Sequence, residues 1–541
     1  MTETTAPDRM RRLRHRLGRI AYGGDYNPEQ WPEEVQDEDM RLMKEAGVSL
    51  VSLGIFAWAK VEPRPGEYDF SWFDRTMDRL DDAGVAVCLG TMTASPPPWL
   101  AARHPETLPV TVDGVRLSPG SRQHYCPSSP VYRDHAARLV EQVAGRYGDH
   151  PAVALWHVGN EFGCHIKACY CDVSAEAFRR WLADRYGDVD ALNEAWSTTF
   201  WSQRYDSFAE VLPPRKAPSF RNPAQQIDYA RFGSDELLAC YLAERRILGR
   251  VTPEVPVTTN FVPLAKTLDL FEWGRHMDVV SYDSYPDPHP HPHQDDAAAR
   301  TAFGYDVMRS MRGGQPWMLM EQAPSAVNWR PRNGPKPPGV MRLWSWQAIA
   351  HGADSVMFFQ WRQSRGGAEK FHSGMVPHGG PATRTFREVR DLGRELADNP
   401  GLAGARQPGS DVAIVLDWSS WWGLELGARP SQDVRLMDTV LAHYRPLYDA
   451  GVPCDVVPPG ADLSGYRLVV VPNLYMVDQA DAARIEGYVR DGGTLLMSFF
   501  SGIVDSRDRV HLGGYPAPFR RVLGLRVEEF WPLPQNGTIG L

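Results

Sequence analysis

Eight short apolar runs alternate with helical stretches between about residues 19 and 360, and this alternation leaves few architectures open. The runs cover residues 20–24, 50–53, 85–89, 153–158, 257–260, 279–281, 317–320 and 355–359. Strands separated by helices pair in parallel, because each crossover helix carries the chain back to the end from which the next strand starts. The pattern predicts an α/β fold, a (β/α)8 TIM barrel over residues 19–400, with insertions in the long fourth and fifth connections. The helix expected over 72–83 follows Ser71 and stops at Gly84, the usual start and stop signals.

From Asp411 a second series begins. AIVLD, a helical stretch over 436–450, RLVVVPN, a second helix over 480–490 and GTLLMSF predict an open α/β parallel-sheet domain over 405–541. No phosphate-cradling glycines follow its first strand in AIVLDWSSWWG, so a structural or interfacial role, oligomerisation, is expected. The segment YPDPHPHPH over 285–293 reads as a stiff loop after the sixth strand, whose alternate histidines could take up metal adventitiously.

Composition removes whole function classes. Lys and Arg number 58 against 67 Asp and Glu, a net charge of −9, so no basic field draws the chain to nucleic acid or anionic lipid. Residues 1–18, rich in arginine and without a continuous apolar core, read as a flexible segment and not as a secretory signal. With no run of about 18 apolar residues, a soluble, cytoplasmic chain without a membrane partner is expected. Seven cysteines, an odd and clustered set, do not resemble a disulfide framework. The 18 tryptophans, several just after predicted strands, hint at sugar binding.

In a TIM barrel, reactive groups sit at the C-terminal ends of strands. Glu161 closes VALWHVGNE and Glu321 closes PWMLME. Two acids at one barrel mouth suit glycoside hydrolysis, in which one protonates the leaving oxygen and the other attacks the anomeric carbon. Alternatively, each pairs with an arginine such as Arg122. A metal-dependent hydrolase finds little support: 16 histidines include no HExxH, and HPHPH lies in a proline-rich loop.

The strings YGGDYNPEQW (22–31), GIFAWAKVEPRPGEYDFSWFD (54–74), RQHYCPSSPVYR (122–133), WHVGNEFGCH (156–165), NEAWSTTFWSQRY (193–205), SYDSYP (281–286), MEQAPSAVNW (320–329) and RLWSWQAIAHGAD (342–354) occur in order. Together they resemble the glycoside hydrolase family 42 β-galactosidases. The resemblance implies a retaining exo-β-galactosidase that frees terminal β-D-galactose from small β-galactosides through a covalent galactosyl-enzyme. Glu161 would be the acid/base, the protonated partner, and Glu321 the nucleophile. Arg122, Asn160, Tyr285, Trp329, Glu369 and His372 would bind the sugar or hold the nucleophile, and Trp201 would line the aglycone side. The resemblance also implies a homotrimer built through the second domain, and a small C-terminal β domain that is missing here. Some relatives hold zinc with four cysteines. Cys126, Cys169 and Cys171 match three of those positions, but Ser174 stands at the fourth, so no metal is expected. Phe162 replaces a tyrosine that often follows the acid/base. Alternatives are another retaining β-glycosidase, of α-L-arabinopyranosidase, β-glucosidase or β-mannan type, or a noncatalytic sugar-binding scaffold.

Overall fold

A computed structural model describes residues 6–289, 297–407, 409–534 and 537. Positions 1–5 of the N-terminal segment and 290–293 of the histidine-rich loop lie outside the described residues.

Nine short parallel strands form the first sheet. They are β1 (Ala21–Tyr26), β2 (Leu50–Leu53), β3 (Ala86–Gly90), β4 (Val153–His157), β5 (Val257–Thr258), β6 (Asn260–Phe261), β7 (Ser281–Asp283), β8 (Trp317–Glu321) and β9 (Ala353–Phe358). The fifth expected run is therefore two strands, interrupted at Thr259. The order β5-β4-β3-β2-β1-β9-β8-β7-β6 begins and ends on that same stretch of chain, so the sheet closes on itself as a TIM barrel.

Local sequence accounts for the packing. Strands β2 and β8 are buried throughout, as expected where side chains on one face fill the barrel and those on the other meet helices. The helix Ser71–Asp82 buries Phe73, Thr76, Met77 and Leu80, one stripe at helical spacing. At Gly24 in β1, an added Cβ would lie 2.2 Å from the Phe358 carbonyl oxygen of β9, so only glycine lets these strands approach.

Two expectations are corrected. The segment 1–18 contains a helix, Ala6–Leu17, that lies across the bottom of the barrel. Met10, Leu13 and Leu17 share one of its faces and pack on strand residues including Leu50, Cys88, Met318 and Met357. Arg9 pairs with Asp278 at 2.9 Å, and Arg16 bonds the Val153 and Pro151 carbonyls. The apolar face was hidden because its residues are spaced through a run of arginines. The tryptophans, in turn, are mainly structural. Trp58, Trp156, Trp273, Trp317, Trp361 and Trp418 are among the largest fully buried side chains.

The second sheet, of order β11-β10-β12-β13, is also parallel. It contains β10 (Val412–Val415), β11 (Cys454–Val457), β12 (Leu468–Val471) and β13 (Thr494–Met497). Its tryptophans dock it on the barrel: Trp418 and Trp422 donate to the Ala265 and Lys266 carbonyls at 3.2 and 2.6 Å. Arg309 adds an ion pair to Asp455 at 2.6 Å. No helix among the described residues is long and apolar enough to cross a membrane.

The 29-residue helix Pro223–Val251 carries a buried acid, Glu244, beneath the barrel mouth. Thr93 donates to it at 3.1 Å, but burial raises its pKa from 4.5 to about 7. The unfolded chain releases this proton at lower pH than the folded one, so the stability associated with it is lost as pH rises from about 4.5 to about 7. Glu244→Gln is therefore expected to stabilise the fold by about 3 kcal/mol at pH 8 and to have little effect at pH 4.5. Thermal denaturation at both pH values checks this; equal shifts would contradict it.

Candidate active site

The barrel closure brings several strand ends to one pocket. Glu321 is the last residue of β8, Asp283 the last of β7, and Glu161 follows β4 by four residues. Asp25 lies near the end of β1, and Asn260 opens β6. All five are buried. One oxygen from each of Glu161, Asp283 and Glu321 lies within 4.8 Å of the others.

Asn260 organises this cluster. Its Nδ2 lies 2.9 Å from Asn160 Oδ1, 2.7 Å from Asp283 Oδ2 and 3.1 Å from Glu321 Oε1. Its Oδ1 accepts from the Glu161 backbone N–H and faces His157 Nε2, both at 2.9 Å. Glu161 is held in the left-handed region at φ 47°, a conformation costing about 1–3 kcal/mol. Gln123 pins that turn by donating to the Asn160 and Glu161 carbonyls at 2.8 and 2.9 Å.

Most sequence-predicted residues converge here. Arg122 Nη2 pairs with Glu161 at 3.0 Å, and its Nε lies 2.7 Å from His165 Nε2. Tyr285 OH donates to Glu321 Oε2 at 2.5 Å. Trp329 stands edge-on to Tyr285, with centroids 4.9 Å apart, and stacks on His372 at 5.3 Å. Trp329 is 54% exposed, so its ring still offers a free face. The His372 backbone N–H donates to the Glu369 carbonyl at 2.9 Å, and the Glu369 carboxyl acts electrostatically on Arg122 and Glu161. Burial holds His372 at about 4, hence neutral, and its buried Nε2 has no protein partner. Among the described residues, Trp201 makes no hydrogen bond or ring contact with this group. It is 59% exposed, and its ring contact is with neighbouring Phe200.

Electrostatics is dominated by buried acids. Burial raises the carboxyls of both Glu161 and Glu321. The charges of Asp25 and Glu161 push Glu321 further, while Tyr285 and Arg122 oppose this. Arg122 sits on Glu161, which favours its anion, so the sugar-free pocket does not assign the proton to Glu161 as the sequence reading expects. Asp25 is raised to about 8, mainly by burial.

Sequence reasoning missed Asn260, Gln123, Asp25 and Asp283. Three of these are polar residues at or beside strand ends, the position that singled out Glu161 and Glu321. Gln123 follows Arg122 in a loop and gave no such signal.

The cysteine cluster is separate from this network. Cys126 Sγ lies 3.6 Å from Cys171 Sγ, and Ser174 Oγ lies 3.2 Å from Cys126 Sγ. Cys169 Sγ accepts from the Val110 N–H at 3.3 Å. Three thiols and a hydroxyl fall one thiolate short of a closed zinc set, because a neutral hydroxyl is a poor fourth ligand. The three thiols lie within 4.8 Å of one another, and Ser174 stands where a fourth thiolate would close the set.

The profile of the family described as β-galactosidase matches residues 25–399, and that of a β-galactosidase trimerisation domain matches 410–541. The chain belongs to glycoside hydrolase family 42. Among similar proteins, a β-galactosidase of Geobacillus kaustophilus is 52% identical over 521 residues, 96% of this chain and 77% of the relative. One from Arthrobacter is 53% identical over 529 residues, 96% of this chain and 75% of the relative. The crystal structure of the β-galactosidase from Bacillus circulans sp. alkalophilus superposes with a TM-score of 0.93 at 42% identity, covering 97% of this chain and 78% of that one. As a family member the chain is a glycoside hydrolase.

Proposed function

We propose that this enzyme is a retaining exo-β-galactosidase acting on terminal non-reducing β-D-galactose of small β-galactosides. The observation that carries the reading is the close approach of Glu161 and Glu321, oxygens within 4.8 Å, in a family 42 chain. A separation of about 5–5.5 Å between the carboxyl groups suits direct attack by one of them, whereas inverting enzymes need about 6.5–9.5 Å to admit a water.

In this reading Glu321 attacks the anomeric carbon while Glu161 protonates the departing oxygen, giving a covalent galactosyl-enzyme. Glu161 then deprotonates the water that releases galactose. Tyr285 and Asn260 orient the nucleophile through their hydrogen bonds to its two oxygens. Arg122 turns from Glu161 to a sugar hydroxyl when substrate enters, which removes the cation and lets Glu161 take the proton. Asn160, Glu369 and His372 bind further hydroxyls, and Trp329 packs on the sugar face. The two carboxyls complete the chemistry without a cofactor. The trimerisation-domain match over 410–541 supports a homotrimer built through the second domain. The net charge of −9 supports an enzyme without nucleic-acid or anionic-membrane partners, and a cytoplasmic location is part of the same reading.

A panel of nitrophenyl glycosides, with NMR of the first-formed sugar, tests the reading. β-Galactoside is expected to be cleaved fastest and to release β-galactose first. Preference for a β-glucoside or an α-L-arabinopyranoside, or initial release of the α-anomer, would overturn it.

A further inference from the structure

Among the carboxyl groups that two-carboxylate chemistry does not use, Asp283 stands nearest the reacting pair. Asp283 is completely buried at the end of β7. Its Oδ2 accepts from Asn260 Nδ2 at 2.7 Å. Its Oδ1 is buried and meets no N–H or O–H donor of the protein, and a carboxyl oxygen of Asp283 lies within 4.8 Å of one from Glu161 and one from Glu321. Buried carboxylates that close repel one another strongly, which favours a proton on one of them.

The surroundings indicate which residue carries it. Asp283 faces Glu161 from the turn after β4, Glu321 from β8 and Asp25 from β1, all acidic. Glu369 lies beyond, acting on Asp25 and Glu161. His157 on β4 is neutral, held at about 4 by burial, and the Tyr285 hydroxyl goes to Glu321. The guanidinium of Arg122 pairs with Glu161. Among the described residues no cation forms an ion pair with Asp283. As an anion it would thus have one amide hydrogen bond, whereas Glu161 has a guanidinium and Glu321 has a phenol and an amide.

We propose that Asp283 is a positioning residue that stays protonated, donating a hydrogen bond to Glu161 while accepting one from Asn260. A neutral Asp283 fixes the Glu161 carboxyl without adding a third negative charge beside the reacting pair. Burial and the charges of Glu321, Glu161 and Asp25 all push its pKa upward, in the same direction as the geometry. The inference rests on the galactosidase reading for the roles of Glu161 and Glu321.

Asp283→Asn reproduces the neutral acid, with an NH2 that donates to Glu161 and a carbonyl that accepts from Asn260. It is expected to lower kcat/KM on nitrophenyl β-galactoside by no more than about tenfold and to leave the alkaline limb of the pH profile within about half a unit. Asp283→Leu, of similar size but without the hydrogen bonds, is expected to lose at least about a hundredfold. An ionised Asp283 would instead hold up the pKa of Glu161, so its removal in D283N would move the alkaline limb down by about one unit or more. Such a shift, or equal losses in D283N and D283L, would overturn the proposal. A neutron structure of the unsubstituted enzyme at pH 7 reads the proton directly, whether or not either variant folds. A deuteron on the Asp283 carboxyl is expected, and its absence would overturn the proposal. Failure of the unsubstituted enzyme to cleave any β-galactoside would remove the functional reading instead, while the neutron map still decides where the proton sits.

Discussion

Glu321→Gln is expected to lower kcat by at least about 10⁴-fold, because an amide cannot form the galactosyl ester on which the retaining route depends. The substitution changes little else. Tyr285 and Asn260 donate to the Glu321 carboxylate, and a glutamine retains one oxygen as an acceptor. Burial also raises the pKa of Glu321, so replacing it with a neutral isostere relieves the cost of holding an anion there at neutral pH. Its melting temperature at pH 7 should therefore equal or exceed that of the unsubstituted enzyme. Steady-state kinetics on nitrophenyl β-galactoside and a thermal melt check both halves. A variant with kcat within tenfold of the original would end the assignment of Glu321 as nucleophile, and a melting temperature many degrees lower would mean that the fold had been damaged.

The second large effect depends on the leaving group. Glu161→Ala removes the proton donor, so substrates with basic leaving groups, such as alkyl galactosides, are expected to lose about 10²–10⁴-fold in kcat/KM. Dinitrophenyl β-galactoside, which departs without a proton, should lose far less in that step. Its turnover should then be limited by hydrolysis of the intermediate, for which no base remains to activate water. Azide needs no base and should restore turnover by forming β-galactosyl azide with retained configuration. The ratio of losses across leaving groups is the measurement. A uniform loss, or the α-azide as product, would assign Glu161 another role. Glu161→Ala also leaves Arg122 without its carboxylate partner. A dinitrophenyl substrate that is still bound and cleaved at its first step guards against mistaking this disturbance for lost acid catalysis.

Much of the fold is visible in the spacing of apolar residues. A strand buried on both faces must be largely apolar, as LVSL of β2 is apart from Ser52, and a helix against the sheet must repeat every three to four residues, as Phe73, Thr76, Met77 and Leu80 do. Weak patterns were misread. β11 was missed because CDVV is short and carries a charge. The N-terminal helix was missed because three apolar residues among arginines resemble a solvated tail until the strand ends beneath them are seen. The tryptophans that suggested sugar mostly fill cores or dock the second domain, and Trp201 is 59% exposed.

The sequence by itself determined the alternation of strands and helices, the two glutamates at strand ends and the likeness to family 42, because each is carried by residue type and order along the chain. Tertiary structure alone decided which residues meet. Asp25, Glu161, Asn260, Asp283 and Glu321 are up to almost 300 positions apart in the chain, and barrel closure turns their strand ends toward one pocket. Burial there, with a single arginine among several acids, raises the carboxyl pKa values. Such shifts arise from distance and exclusion of water, which are properties of the packed barrel and not of any stretch of chain.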